Sequence, residues 1–176
     1  MPLQQSLIFM KIHLFLALFW FIVGTSFVPK EQATDFEATT IDGEKIQLNK
    51  LKGKVVVLNF WFKNCPPCRK EIPDLHLLAQ KYKDKDVVFL ALALDNEEIL
   101  KNYLSENNFS YKHIANARPI AKKWGIKSYP TNIVINQKGK VVFRKVGLEL
   151  QEDTWGNRTP KTPQDIDKEI EKLLKK

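Results

Sequence analysis

Cys65 and Cys68 are the only cysteines in the chain, and they flank Pro66 and Pro67. Two thiols at this spacing suit disulfide exchange, provided that a helix begins at the first of them. The partial positive charge at a helix N-terminus favours the Cys65 thiolate, which is the attacking species. Cys68 lies one turn on, where it can attack a mixed disulfide at Cys65 and release the product. Pro66 and Pro67 suit a first helical turn, because the missing N–H costs little there and φ is already set. Lys63, Arg69 and Lys70 add positive charge nearby. Pro67 has no N–H to offer the Cys65 sulfur, so the expected depression of its pKa is moderate rather than that of a strong oxidant.

Two other uses of the pair compete. A structural disulfide closing so short a loop removes little chain entropy. Zinc needs two more ligands, and outside the N-terminal segment only His76 and His113 are available, at a spacing that fits no finger pattern. The pattern favours redox exchange over both, with neither metal nor cofactor.

A strand must lead into this motif and a helix must follow it. Residues 55–62 form an almost continuous apolar run, as in a strand buried on both faces. Beyond Cys68, the residues Ile72, Leu75, Leu78, Ala79 and Tyr82 share one helical face. Residues 36–48 read as a hairpin turning at Asp42-Gly43, and residues 87–94 as a second buried strand. Asp95 and Glu98 have capping-box spacing before a helix with Ile99, Leu100, Tyr103 and Leu104 facing inward. A short helix over residues 118–124 stops at Gly125. Residues 131–136 and 141–146 form an antiparallel hairpin around Lys138-Gly139. Residues 148–162 read as a long polar loop. A last helix starts at Thr162-Pro163, with Ile166, Ile170, Leu173 and Leu174 inward. This order predicts an α/β fold with a mixed sheet and helices on both faces.

The 176 residues suit one domain, and 44% apolar with 27% charged is a globular composition. The net charge of +8 is spread in mixed-sign stretches, with no basic stripe carrying interleaved aromatics, so no nucleic-acid partner is expected. Residues 14–23 are apolar without a break. Lys11 precedes them, and Gly24, Thr25 and Ser26 follow. Residues 1–28 therefore read as a secretory signal peptide or an N-terminal membrane anchor, with the domain over residues 33–176. Export puts the thiols where disulfides persist.

The stretch Leu58-Asn59-Phe60-Trp61-Phe62-Lys63-Asn64-Cys65-Pro66-Pro67-Cys68-Arg69-Lys70-Glu71-Ile72-Pro73 resembles the active-site strand and helix of the thioredoxin superfamily. It is most similar to the TlpA-like branch of bacterial envelope thiol-disulfide oxidoreductases. Pro73, the loop from Gly125 to Thr131, and Gly139 and Gly147 stand where that family places such residues. The resemblance implies a thioredoxin fold with an N-terminal β-hairpin. It makes Cys65 the nucleophile and Cys68 the resolving thiol. It makes Pro130 a cis-proline against the active-site disulfide, with Tyr129, Pro130 and Thr131 contacting substrate.

Glu71 matches a glutamate found near the active site in reductases of this branch, which implies proton exchange with Cys68, partial burial raising its pKa toward neutrality; a solvated helix glutamate is the other reading. Cys65 is expected to be the more exposed cysteine. The implied partners are protein disulfides or dithiols and a membrane or envelope electron donor. The implied direction is reduction, as in cytochrome c maturation or repair of exported proteins. Two departures stand out. Asn59 replaces thioredoxin's buried acid and cannot ionise, and Asn64 replaces the usual tryptophan. Trp61 is assigned to the core.

Two alternatives are weighed. The N-terminal hairpin before a redox helix also resembles peroxiredoxins, which implies a thiol peroxidase. However, Phe62 stands where that family has the hydroxyl residue that binds peroxide. A binding module using an exposed sheet edge would not need the cysteines.

Overall fold

The structure is a computed structural model describing residues 31–152 and 154–175. The predicted leader or anchor over residues 1–28 lies outside the described residues. Five strands form the central sheet in the order β5-β4-β3-β6-β7: β3 (Val55–Trp61), β4 (Val87–Ala93), β5 (Lys112–Ile114), β6 (Thr131–Ile135) and β7 (Val141–Val146). β3 pairs parallel with β4 and β4 with β5, whereas β6 is antiparallel to both β3 and β7. Helices α1 (Pro66–Lys81), α2 (Glu97–Glu106), α3 (Arg118–Lys123) and α4 (Thr162–Leu174) complete the architecture. The sheet is mixed, as the order of elements predicts.

Alternation along the strands sends side chains to two cores. Val55, Val57 and Trp61 of β3 pack with Ile72 and Leu75 of α1, Leu100 of α2, and Ile166 and Ile170 of α4. Val56, Leu58 and Phe60 pack on the other face with Ala121 of α3, Trp124, and Ile46 of the N-terminal hairpin. That hairpin, β1 (Glu37–Thr39) with β2 (Lys45–Gln47), forms its own two-stranded sheet. Its turn needs Gly43, whose φ of 85° is one that a side chain disfavours.

Several expectations are corrected. Asp95 does not cap α2. Asn96 is the N-cap and accepts from the Ile99 N–H at 2.9 Å, while the Asp95 carboxylate accepts from the Lys63 N–H at 2.6 Å. With the helix begun there, Leu100 and Tyr103 point inward, Leu104 is half-buried and Ile99 is 38% exposed. Leu174, the last residue of α4, is 36% exposed, whereas Ile166, Ile170 and Leu173 are buried. The expected loop over residues 148–162 contains a small hairpin, β8 (Leu150–Glu152) with β9 (Arg158–Pro160). Its strands are mostly exposed, so no apolar alternation announces them. Strand β5 is only three residues long, too short for a periodic pattern to show.

Candidate functional site

Cys65 is the N-cap of α1, and Pro66 and Pro67 fill its first turn. β3 ends at Trp61, so the parallel strand delivers the chain directly to this helix start. Cys65 and Cys68 are joined in a disulfide. The Cys68 N–H donates to Cys65 Sγ at 3.3 Å, and Pro66 and Pro67 have no N–H to add. Asp95 braces the approach through Lys63, and the Cys65 N–H donates to the Phe62 carbonyl at 3.1 Å. Exposure does not separate the cysteines as expected: Cys65 is 2% and Cys68 is 1% exposed. Joined to each other at the base of the helix, both sulfurs belong to the core that α1 covers. What distinguishes Cys65 is its place at the N-cap.

The Tyr129–Pro130 peptide is cis. Pro130 precedes β6, whose Thr131 pairs with Phe60 of β3, so this loop lies at the same end of the sheet as the disulfide. Tyr129 is half-buried, its ring edge-on to Phe62 with centroids 5.5 Å apart, and both rings pack against the core containing the two cysteines. Thr131 turns inward. Its hydroxyl donates to the Ser128 carbonyl at 2.7 Å and its side chain is buried. The Gly147 N–H donates to the Pro130 carbonyl at 2.7 Å, tying the loop to the end of β7.

Glu71 lies on α1 three residues after Cys68 and has no exposed surface at all, more than the partial burial expected. Its Oε1 accepts from Asn132 Nδ2 at 2.9 Å and from Asn59 Nδ2 at 3.1 Å. Asn59 Nδ2 also donates to Asn132 Oδ1 at 2.9 Å. Asn59 and Asn132 are direct cross-strand partners of β3 and β6, on the face that α1 covers. Burial raises the Glu71 carboxyl to about 7, and the two amide bonds, Asn132 before Asn59, pull it down only in part. Such a group changes charge near neutral pH, as a proton-transfer residue must.

The structure thus brings Cys65, Cys68 and Glu71 together on one helix and sets Tyr129 and Pro130 at the same sheet end. Asn132 carries little signal in the sequence: it is an amide beside Thr131 at the start of an otherwise apolar strand. Trp61 is wholly buried against Tyr103 and Phe109, a packing residue as assigned. Among the described residues, no cluster of His, Cys, Asp and Glu could hold a metal ion.

The family model for AhpC/TSA matches residues 29–144. Thiol-disulfide oxidoreductase ResA of Bacillus anthracis is 36% identical over 135 residues, covering 76% of this chain and 78% of that protein. Thioredoxin-like protein YneN of Bacillus subtilis (strain 168) is 32% identical over 126 residues, 70% of this chain and 74% of that one. Among solved structures, a thiol:disulfide interchange protein of the thioredoxin family from Chlorobium tepidum TLS superposes with a TM-score of 0.67 at 26% identity. It covers 84% of this chain and 98% of its own.

Proposed function

The chain belongs to the AhpC/TSA family and is a TlpA-like thiol-disulfide oxidoreductase of the thioredoxin superfamily, and on that premise we propose that it reduces disulfides of protein substrates in the cell envelope. The observation that carries this reading is the Cys65–Cys68 pair at the start of α1 with Glu71 enclosed one turn behind it.

The cycle starts from the dithiol. The Cys65 thiolate attacks one sulfur of the substrate disulfide, and the other substrate sulfur leaves with the electron pair and takes a proton. Cys68 then gives its proton to Glu71, and its thiolate attacks Cys65 Sγ. The Cys65–Cys68 bond forms, the bond from Cys65 to substrate breaks, and the second substrate sulfur leaves with the electron pair and takes up a proton as Glu71 gives its own up. The substrate gains two electrons and the protein pair loses two. A dithiol donor in the membrane or envelope restores the reduced form. Tyr129, Pro130 and Thr131 form the edge against which an extended substrate segment lies, through Tyr129 and the backbone rather than the inward-turned Thr131 side chain.

The reducing direction is supported by the donors around Cys65. A strong oxidant owes its potential to a heavily stabilised thiolate, and here one N–H, that of Cys68, reaches Cys65 Sγ. The envelope assignment is supported by the apolar run at residues 14–23. Among the described residues, no helix is long and apolar enough to cross a membrane. Substrates of cytochrome c maturation or damaged exported proteins fit this reading.

Equilibration of the Cys65–Cys68 couple with glutathione tests the direction. A potential near roughly −270 mV is expected, and one near roughly −120 mV would make the protein an oxidant. Cys68→Ser should accumulate mixed disulfides on Cys65 that non-reducing electrophoresis resolves, and Cys65→Ser should accumulate none. Consumption of peroxide in place of insulin-type disulfide reduction would shift the assignment to a thiol peroxidase.

A further inference from the structure

The two oxygens of Glu71 are not equivalent. Oε1 is occupied by two N–H donors, from Asn132 and Asn59, while Oε2 is buried with no hydrogen-bond partner. An amide N–H offers no lone pair, so a proton placed on Oε1 would face two donors. A neutral carboxyl here carries its proton on Oε2. Turning the neutral group over would bring its O–H against the two N–H donors. The three-sided arrangement comes from the fold: β3 supplies Asn59, β6 supplies Asn132 opposite it in register, and α1 lays Glu71 across the pair.

We propose that Asn132, together with Asn59, is a positioning residue for resolution: the amide pair fixes the Glu71 carboxyl so that Oε2 exchanges the proton with Cys68, and it stabilises the carboxylate that accepts that proton. This rests on the reading of Glu71 as the proton acceptor. In the step itself, the Cys68 S–H bond breaks and an Oε2–H bond forms. The Cys68 sulfur then uses its electron pair to bond Cys65 Sγ, and the substrate sulfur leaves Cys65 with the pair from the broken bond.

Few other groups face Glu71. Cys68 is the titratable neighbour on α1. Tyr111, in the segment before β5, is buried with its hydroxyl unpartnered, and burial together with the Glu71 charge pushes its phenol well above the usual range, so it stays neutral. β3 and β6 contribute the two neutral amides. Among these neighbours, Glu71 is the group held near neutrality.

The test is the single-turnover rate of mixed-disulfide resolution between about pH 5.5 and pH 9 in the full chain. Asn132→Leu keeps the branched outline and removes the donor nearest Oε1. Its midpoint should move up by about one pH unit, because one of two bonds favouring the charged form is gone. Carbon-13 NMR of the labelled Glu71 carboxyl should show the same displacement, which general loosening of the fold would not produce. In a Glu71→Gln background the Asn132 substitution should move nothing further. If Asn132→Leu does not fold, Asn132→Val is the second variant, with the same shift expected because valine has no donor either. A midpoint unchanged by either Asn132 variant, while Glu71→Gln abolishes it, would overturn the positioning role alone. A profile that survives Glu71→Gln would overturn the reading of Glu71 and the proposal with it.

Discussion

Enclosing an ionisable carboxyl in an apolar core opposes folding whenever the group is charged, and Glu71 is such a case. Its pKa rises from 4.5 to about 7 on burial. Between those values the folded protein holds a proton that the unfolded chain has released. Stability therefore falls as pH rises through this window and is level above it. The loss amounts to roughly 3 kcal/mol across the window. Glu71→Gln cannot ionise, so urea denaturation should show the variant gaining on wild type from pH 4.5 to 7 and keeping that advantage at pH 8. The same substitution should slow disulfide reduction at least tenfold, by the usual worth of a positioned proton acceptor of roughly 10² or more. Wild-type turnover should climb through pH 7 as the carboxylate forms, and the variant should lack that rise. Greater stability with lower turnover would mark Glu71 as kept for chemistry. A variant equal to wild type in both would return it to packing.

At the scale of elements, the helices are held by apolar faces and by a few polar links. Tyr82 donates to Asp167 Oδ1 at 2.6 Å and Lys81 reaches the same carboxylate, so the end of α1 is tied to α4. These groups are partly exposed, and the larger contribution comes from Ile166 and Ile170, neither of which has exposed surface. Ile170→Ala should cost about 2–5 kcal/mol in chemical denaturation, through lost burial and the cavity left between α4 and α1. Leu174→Ala, at the open end of the same helix, should stay within about 1 kcal/mol. Equal losses at the two positions would mean that α4 packs along its whole length. The loop before α1 depends on Asp95, a residue that propensity assigns to a cap and that the structure spends on the Lys63 N–H.

For the whole molecule, the sheet order places the redox pair, the cis-proline loop and the Asn59–Asn132 pair at one end, with α1 above them. The N-terminal hairpin and α3 cover the opposite face, so the reacting pair is served by one side of the sheet only. An envelope oxidoreductase must also reach its compartment. A fusion of residues 1–30 to a reporter active only outside the cytosol should be active, and N-terminal sequencing of the mature protein would then separate a cleaved signal from a retained anchor. An inactive reporter would remove the envelope assignment.

Local pattern alone was enough to place β3, the start of α1, the closing hairpin and the thiol chemistry. Each depends on neighbours in the chain: an apolar run, two prolines at a helix N-terminus, a glycine in a turn. The Cys65-to-Cys68 spacing and the Tyr129-Pro130-Thr131 loop were readable for the same reason. Other features were decided only by tertiary packing. Whether Glu71 faced solvent or core depended on what α1 lay across, and nothing within a helical turn of it records that β3 and β6 bring two amides there. Asn132 lies 61 residues from Glu71, and its bond to that carboxyl is made only once the antiparallel register sets it opposite Asn59. Asp95 likewise chose between a local cap and a partner 32 residues away, and the longer-range contact prevailed because the fold holds the Lys63 N–H within reach. Burial and long-range pairing belong to the folded chain as a whole, and they set a buried carboxyl, held by two amides, behind a legible pair of thiols.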